Sequence, residues 1–561
     1  MKSSLLLIVF FSLPLFSQTI WHVKPYGGNR DFVTTNNDGK TLNTAWTLQE
    51  AMTDYHKKIV PGDIVYLHGG TYKGHFTCNL KGLSWKRGKY ITVKAYPGET
   101  AVIDGNIHEN YSIPDGMHPE FILSVTGKYV HFEDFRVTCL GNFTRIVGND
   151  KCNPKDNSFH GYAGIVHAPE TVSPCRFINL VIDNIPGVAF SSWKDAADTE
   201  VYGCLMYYNG YINSTRKNCN DSWETHGGPN NPENATGIEN CIYTQNRASN
   251  GKTRKFSNNI FLNNYKSGIA IWSAEKNPQF DYLSHFYVDR NIFVNNGSPI
   301  RSETPNMLIA SDSRNGKNFA EDIDVVNNVF YFNTSNDISG ITHIRNRNVR
   351  IKGNEFYNGT AAVELFVTNK KMTFTNNFFV GKRVKIFATP ENFKGDGNMR
   401  DRWKMTNNTY FTTNPTNLFL TDFGGLSLDD FEKRYNTNLK SKVLTGNPIK
   451  KNIFRNAYNP NRFHLTYFNR AAATGTADFN FKPYKIPDGA RYTIRDAEDY
   501  HNPIATGKYN AATGIISCPV SASPGFEMPR PSIESGKTAF VATPVHSKAN
   551  FRVYIVTFDE K

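Results

Sequence analysis

A short element recurs through the middle of this chain: an asparagine, a variable residue, then an aromatic. It stands at Asn259-Ile260-Phe261, Asn291-Ile292-Phe293, Asn328-Val329-Phe330, Asn354-Glu355-Phe356, Asn377-Phe378-Phe379 and Asn408-Thr409-Tyr410. Weaker copies precede it at Asp134-Phe135, Asn179-Leu180-Val181 and Gly203-Cys204-Leu205. The copies are about 23 to 37 residues apart, the coil length of a solenoid whose loops vary. Asparagine tolerates the left-handed backbone of a sharp corner. Stacked coil on coil, its amide can bond the asparagine above and below, while the neighbouring apolar residues point inward. One coil alone cannot bury its face, so such a chain is stabilised by neighbour stacking. These asparagines therefore read as structural, not catalytic.

Between the repeats lie short β-like runs at 164–168, 187–193, 241–246, 269–273, 307–312, 341–346 and 363–368, several ending in charged or polar residues. Stacked in parallel they make one sheet with a polar strip along its edge. The fold expected is all-β: a right-handed parallel β-helix over residues 19–459. An N-terminal capping helix is expected near 47–59, opened by the Thr47-Leu48-Gln49-Glu50 capping box. A second short helix should start at Ser427. From about 460 to 561 the repeat gives way to hairpin punctuation such as Pro487-Asp488-Gly489, expected to be a small C-terminal β module or cap.

Lys2, the apolar run Leu5 to Phe16, and Ser17-Gln18 read as a signal peptide over 1–18, which places the mature chain in the periplasm or outside the cell. No later stretch is long and apolar enough to span a bilayer. The eight cysteines show no C-x-x-C spacing; Cys175, Cys204 and Cys241 sit in apolar runs. Pairings Cys152–Cys175 and Cys204–Cys219 are both open at this stage. The formal charge of +13 suggests a polyanionic partner. Without a basic run or nucleic-acid motif, an acidic polysaccharide is expected rather than nucleic acid or membrane, and a monomer is expected.

The stretch Trp46-Thr47-Leu48-Gln49-Glu50-Ala51, then Pro61-Gly62-Asp63-Ile64-Val65-Tyr66-Leu67-His68-Gly69-Gly70-Thr71-Tyr72, then Tyr96-Pro97-Gly98-Glu99 and Ile103-Asp104-Gly105 resembles the bacterial right-handed parallel β-helix proteins of the pectate-lyase-like superfamily. Glu200 to Cys204, Ile242 to Asn246 and the segment around Tyr492 and Gly507 extend the resemblance over nearly the whole mature chain. It implies the fold strongly. It does not fix the function, since the superfamily holds lyases, hydrolases, epimerases, esterases and non-catalytic proteins. Similar proteins often carry His-Gly before the Ile-Tyr-Thr-Gln-Asn run. Here Asn240-Cys241 stands instead, so any role of that histidine is absent or moved.

Candidate chemistry gathers at the strand ends and in the longest insertion, 208–237, which carries Arg216, Lys217, Asp221, Trp223, Glu224 and His226. Trp193-Lys194-Asp195, Tyr243 with Gln245 and Arg247, Trp272 with Glu275 and Lys276, Asp312 with Arg314, and Arg345 with Arg347 follow successive strands. Trp193, Trp272, Trp223, His226 and Arg345 are the expected substrate-binding residues. In β-elimination of a uronate polysaccharide, a cation neutralises the carboxylate and a base removes the C5 proton. Arg247, Arg314 or Arg345 could neutralise; Lys194, Lys276, Tyr243 or His226 could be the base. Asp195 and Asp312 are the candidate ligands of a Ca²⁺ ion, although no Asp-rich calcium motif stands in the chain. Hydrolysis by Asp195, Glu275 and Asp312 is the alternative enzyme reading. A non-catalytic glycan-binding surface protein is the third.

Overall fold

The computed structural model describes residues 18–559 apart from 27–32, 35, 107–120, 141–145, 148–162, 214–235, 239, 274–282, 298–304, 312–319, 334–338, 345, 359–360, 367–370, 388–402, 422–423, 473 and 522–546. Three long sheets, each of 12 strands, run the length of a right-handed parallel β-helix. One coil shows the plan. Arg254–Ser257 lies in the first sheet (A), Ile260–Leu262 in the second (B) and Ile269–Ser273 in the third (C). Each strand pairs in parallel with the strand one coil on, as in Ile260↔Ile292↔Val329↔Glu355↔Phe378 along sheet B.

The A-to-B corner explains the repeat. Asn259 donates from Nδ2 to Asn291 Oδ1 at 2.9 Å, Asn291 to Asn328 at 3.0 Å, and Asn328 to Asn354 at 3.0 Å. The file continues through Asn377 and Asn408 to Asn438, at 3.1–3.2 Å. Each backbone N–H from Asn259 to Asn377 donates to the same carbonyl oxygen of the next asparagine, so the corner's polar groups are satisfied inside the protein. The left-handed turn sits one residue earlier than the sequence suggests. Asn258, Arg290, Asn327, Gly353, Asn376 and Asn407 carry the positive φ, and the file-forming asparagines from Asn259 to Asn408 do not; Asn438, at the end of the file, is itself left-handed. At Gly353 a Cβ would lie 2.6 Å from Asn327 Oδ1, so a larger residue there would have to displace that side chain. Beside the file Phe261, Phe293, Phe330 and Phe356 stack inside the coil at 4.7–5.0 Å between ring centroids.

The capping helix α1 covers Leu48–Met52, with both capping-box bonds present. It stops well short of residue 59 because Asp54 takes a left-handed φ and its carboxylate accepts from the Lys58 and Ile59 amides. At the other end, α2 (Leu428–Tyr435), capped by Ser427, lays Phe431 on Phe419 at 4.2 Å and closes the core. The antiparallel module begins at Ile449, some ten residues before the expected boundary. Pro460 lies in the turn of the hairpin Ile449–Arg455/Arg462–Asn469, not between units. Its five-stranded sheet, completed by Arg491–Asp496, Pro503–Lys508 and Phe551–Phe558, packs on the outside of sheet B. There Phe551 stacks on Tyr331 at 4.3 Å and Phe468 on Tyr357 at 4.0 Å. Cys175 and Cys204 are free, buried thiols, so neither disulfide pairing is formed; Cys152 and Cys219 lie outside the described residues. The segment read as a signal peptide also lies outside them, apart from Gln18. No helix among the described residues is long and apolar enough to cross a membrane.

Candidate functional site: the outer face of sheet C

Sheet B is covered by the module, and sheet A carries ion pairs such as Arg176–Glu200 and Arg350–Asp324 on its outside. Sheet C receives the insertions. The longest leaves the sheet B strand Leu205–Tyr207 and returns to the sheet C strand Ile242–Thr244. Its stems Tyr211–Asn213 and Thr236–Ile238 pair as antiparallel strands.

Strand alternation sorts the side chains of sheet C. Phe190, Ile242, Ile269 and Ile271 face inward and are buried, so Trp193, Tyr243 and Trp272, of opposite parity, face outward. Trp193 is 46% exposed, while Tyr243 and Trp272 are half-buried. The Trp193 and Tyr243 rings are 6.5 Å apart at 64°, and Tyr243 and Trp272 are 6.4 Å apart at 60°. The three make a stair, one step per coil. Tyr243 sits mid-stair, and its hydroxyl accepts from Gln245 Nε2 at 2.8 Å.

Charge borders the stair on one side. Arg247 donates to both Asp195 oxygens, Nε to Oδ1 at 3.0 Å and Nη2 to Oδ2 at 3.1 Å, the fork geometry that suits a carboxylate. Its backbone N–H donates to the Lys194 carbonyl at 3.1 Å, so Lys194, Asp195 and Arg247 are held together across neighbouring coils. Both Asp195 oxygens are thus engaged by a guanidinium. A Ca²⁺ ion needs several hard oxygen ligands, and Asp195 in this pairing does not fit that role. Among the described residues no group of three His, Cys, Asp or Glu side chains could hold a metal.

Sequence reasoning thus named six residues that the structure brings together: Trp193, Lys194, Asp195, Tyr243, Arg247 and Trp272. Lys276, Arg314, Trp223, His226, Asp312 and Arg345 lie outside the described residues.

It missed the residue beneath them. Arg254 is fully buried; its Nη1 donates to the Ser192 carbonyl at 2.9 Å, to Thr244 Oγ1 at 3.0 Å and to the Gln245 carbonyl, and Nη2 to the Trp193 carbonyl at 2.9 Å. One guanidinium therefore ties together the two strand ends that present Trp193 and Gln245. Burial pushes Arg254 down to about 9, with the Asp195 charge opposing the shift. Beside it His167 is pushed down to about 3, first by burial and then by the Arg254 charge, so it is neutral. The signal was in the sequence: Arg254 stands two residues before Phe256, and His167 two after Ile165, so both share the parity of core positions.

No family model matches the chain, and no curated protein does. Among solved structures, a rhamnogalacturonan lyase matches with 13% identity over 76% of this chain and 87% of its own, at a TM-score of 0.40. The pectate lyase Pel9A matches with 16% identity over 67% and 78%, at a TM-score of 0.39. An alginate lyase from Paenibacillus sp. matches with 14% identity over 68% and 93%, at a TM-score of 0.33. At these identities the chain is similar to them in fold alone.

Proposed function

We propose that this chain is a carbohydrate-active enzyme that lays an acidic polysaccharide along the outer face of sheet C and cleaves it by β-elimination. The observation that carries the reading is the outward stair of Trp193, Tyr243 and Trp272, bordered by Lys194 and Arg247. Flat aromatic faces suit the apolar faces of sugar rings, and one ring per coil matches a ligand that runs along the helix axis.

In this reaction the C5–H and C4–O bonds of a uronate break and a C4=C5 double bond forms. The base takes the C5 proton, and the leaving oxygen departs to be protonated. Tyr243 is the group best placed for the proton: it stands mid-stair between two aromatic rings, and its hydroxyl, which accepts from the Gln245 amide, is held toward the groove. Lys194 supplies positive charge toward the substrate carboxylate, and Arg247, paired with Asp195, holds that edge of the stair in place. Hydrolysis needs a pair of carboxyl groups. Asp195, the candidate carboxylate among the described residues, is held by Arg247, while Glu275 and Asp312 lie outside them; elimination is favoured by the Tyr243 hydroxyl and the Lys194 cation beside the stair.

The test is incubation of the full chain with uronate-containing, sulfated and neutral polysaccharides, with Ca²⁺ and with EDTA. Ultraviolet absorbance and new reducing ends would be followed in parallel. The reading expects both to rise on a polyuronate and neither to rise after Tyr243→Phe. Reducing ends without absorbance would replace it with hydrolysis. Retention without product would leave a glycan-binding protein. An EDTA-sensitive rate would require a cation site outside the Asp195–Arg247 pair.

A further inference from the structure

The pairing of sheet C outlasts its strands. Phe190–Ser192 and Ile242–Thr244 pair in register, and beyond them the two chains stay side by side. Gln245 N–H donates to the Ser192 carbonyl at 2.9 Å, and Arg247 N–H to the Lys194 carbonyl at 3.1 Å. These extensions carry Trp193, Lys194 and Asp195 on one coil, and Gln245 and Arg247 on the next. Two carbonyls that alternate with those ladder bonds, Trp193 and Gln245, take the Arg254 guanidinium instead.

Arg254 reaches them from another sheet. It opens the sheet A strand Arg254–Ser257, two residues before the inward Phe256, and is fully buried. Its four acceptors, three carbonyls and the Thr244 hydroxyl, belong to two neighbouring coils. A rigid guanidinium holds such acceptors at set spacings, where an ammonium offers one point. The position is expensive. None of these acceptors is a carboxylate, and the opposing charge that acts on the cation, Asp195, is already held by Arg247. Costs of this kind gather where a fold serves a site rather than its own repeat. The extensions that Arg254 fixes carry one end of the stair and, through the Gln245 amide, the Tyr243 hydroxyl.

We propose that Arg254 is the positioning residue of the stair: it fixes the Trp193 step against the Tyr243–Gln245 step, and thereby sets which uronate of the bound chain presents its C5 proton to Tyr243. The inference rests on the elimination reading above. Arg254 meets no substrate; it acts through Trp193 and Gln245.

Two full-length variants test it beside the wild type, at a temperature where circular dichroism shows all three folded. Arg254→Lys keeps a charge and loses the fork. Thr244→Val is nearly isosteric, removes one acceptor and leaves the three carbonyls. In hydrogen exchange read by mass spectrometry, peptides covering 193–195 and 245–247 should exchange about tenfold faster in both variants, and the sheet B strand Ile292–Val294 at the wild-type rate. On a defined uronate oligosaccharide kcat should fall about tenfold, with KM within about threefold, and cleavage should spread from one bond to its neighbours. Wild-type exchange in those peptides, or an unchanged kcat and cleavage pattern in variants that merely melt lower, would overturn the proposal. A wild type that forms no unsaturated product would sink the elimination reading instead, and exchange alone would then decide whether Arg254 holds the two steps.

Discussion

At the scale of single residues, the stair and its supports make different demands. Trp193 is nearly half exposed, so Trp193→Ala removes little packing. It should leave the melting temperature close to wild type yet weaken polysaccharide binding by about tenfold, as read by affinity electrophoresis. A protein that lost both together would mark Trp193 as a packing residue. His464 tests the buried interior. It is fully buried and accepts from Arg462 Nε at 3.4 Å; burial first, then the Arg462 charge, holds it well below 6.5. Its folded value lies below its unfolded one, so the unfolded chain binds the extra proton first. Stability from this neutral histidine is complete above about pH 6.5 and is lost as pH falls, by up to about 1.4 kcal/mol per unit. Denaturant midpoints for wild type and His464→Gln should therefore converge on acidification, and parallel curves would count against a neutral buried histidine. At this scale Trp193, Tyr243 and Trp272 were legible because each lies in or closes a strand-like run. The pairing of Asp195 with Arg247 was not, because it spans 52 residues and two coils.

At the scale of elements, the asparagine file ties coil to coil. Asn328 accepts from the Asn291 amide and side chain and donates to Asn354 and to the Val288 carbonyl, all while buried. Asn328→Ala strands several of those partners without water and should cost about 3 kcal/mol, measured as a fall in the urea midpoint. A cost under about 1 kcal/mol would mean that the coils are held by aromatic stacking alone. A second file runs at the B-to-C corner, where Asn209, Asn264, Asn296 and Asn306 are joined by side-chain bonds of 2.8–2.9 Å. Its pattern was present in the sequence, since Asn264 and Asn296 stand five residues after Asn259 and Asn291, but the aromatic between them drew the eye to the first corner. The length of α1 was illegible for a local reason. The left-handed Asp54 stops it after Met52.

At the scale of the whole molecule, the three faces of the solenoid have three fates. The module closes sheet B through Phe468, Phe551, Val553 and Ile555. Its hairpin also reaches sheet A, where Tyr458 bonds Glu200 and lies edge-on to His131. Sheet C is left to the stair and the insertions. Truncation after Pro448 would uncover the apolar strip that includes Tyr331 and Tyr357, and the shortened chain should self-associate in light scattering while the full chain does not. A monodisperse truncated chain would show that sheet B needs no cover. The fold was legible because a solenoid repeats one local rule many times. The docking of the module was not, because its contacts join residues far apart in the chain, such as Tyr331 and Asn550, which are 219 positions apart.

Product masses read directly which bond breaks on sheet C. Elimination divides a glycan into fragments whose masses sum to that of the substrate, whereas hydrolysis adds one water. Mass spectra of the products from a defined uronate oligosaccharide should show fragments with no added water, one of them unsaturated, and none after Tyr243→Phe. Fragments that carry an added water, or an intact oligosaccharide under every condition that supports binding, would contradict the account.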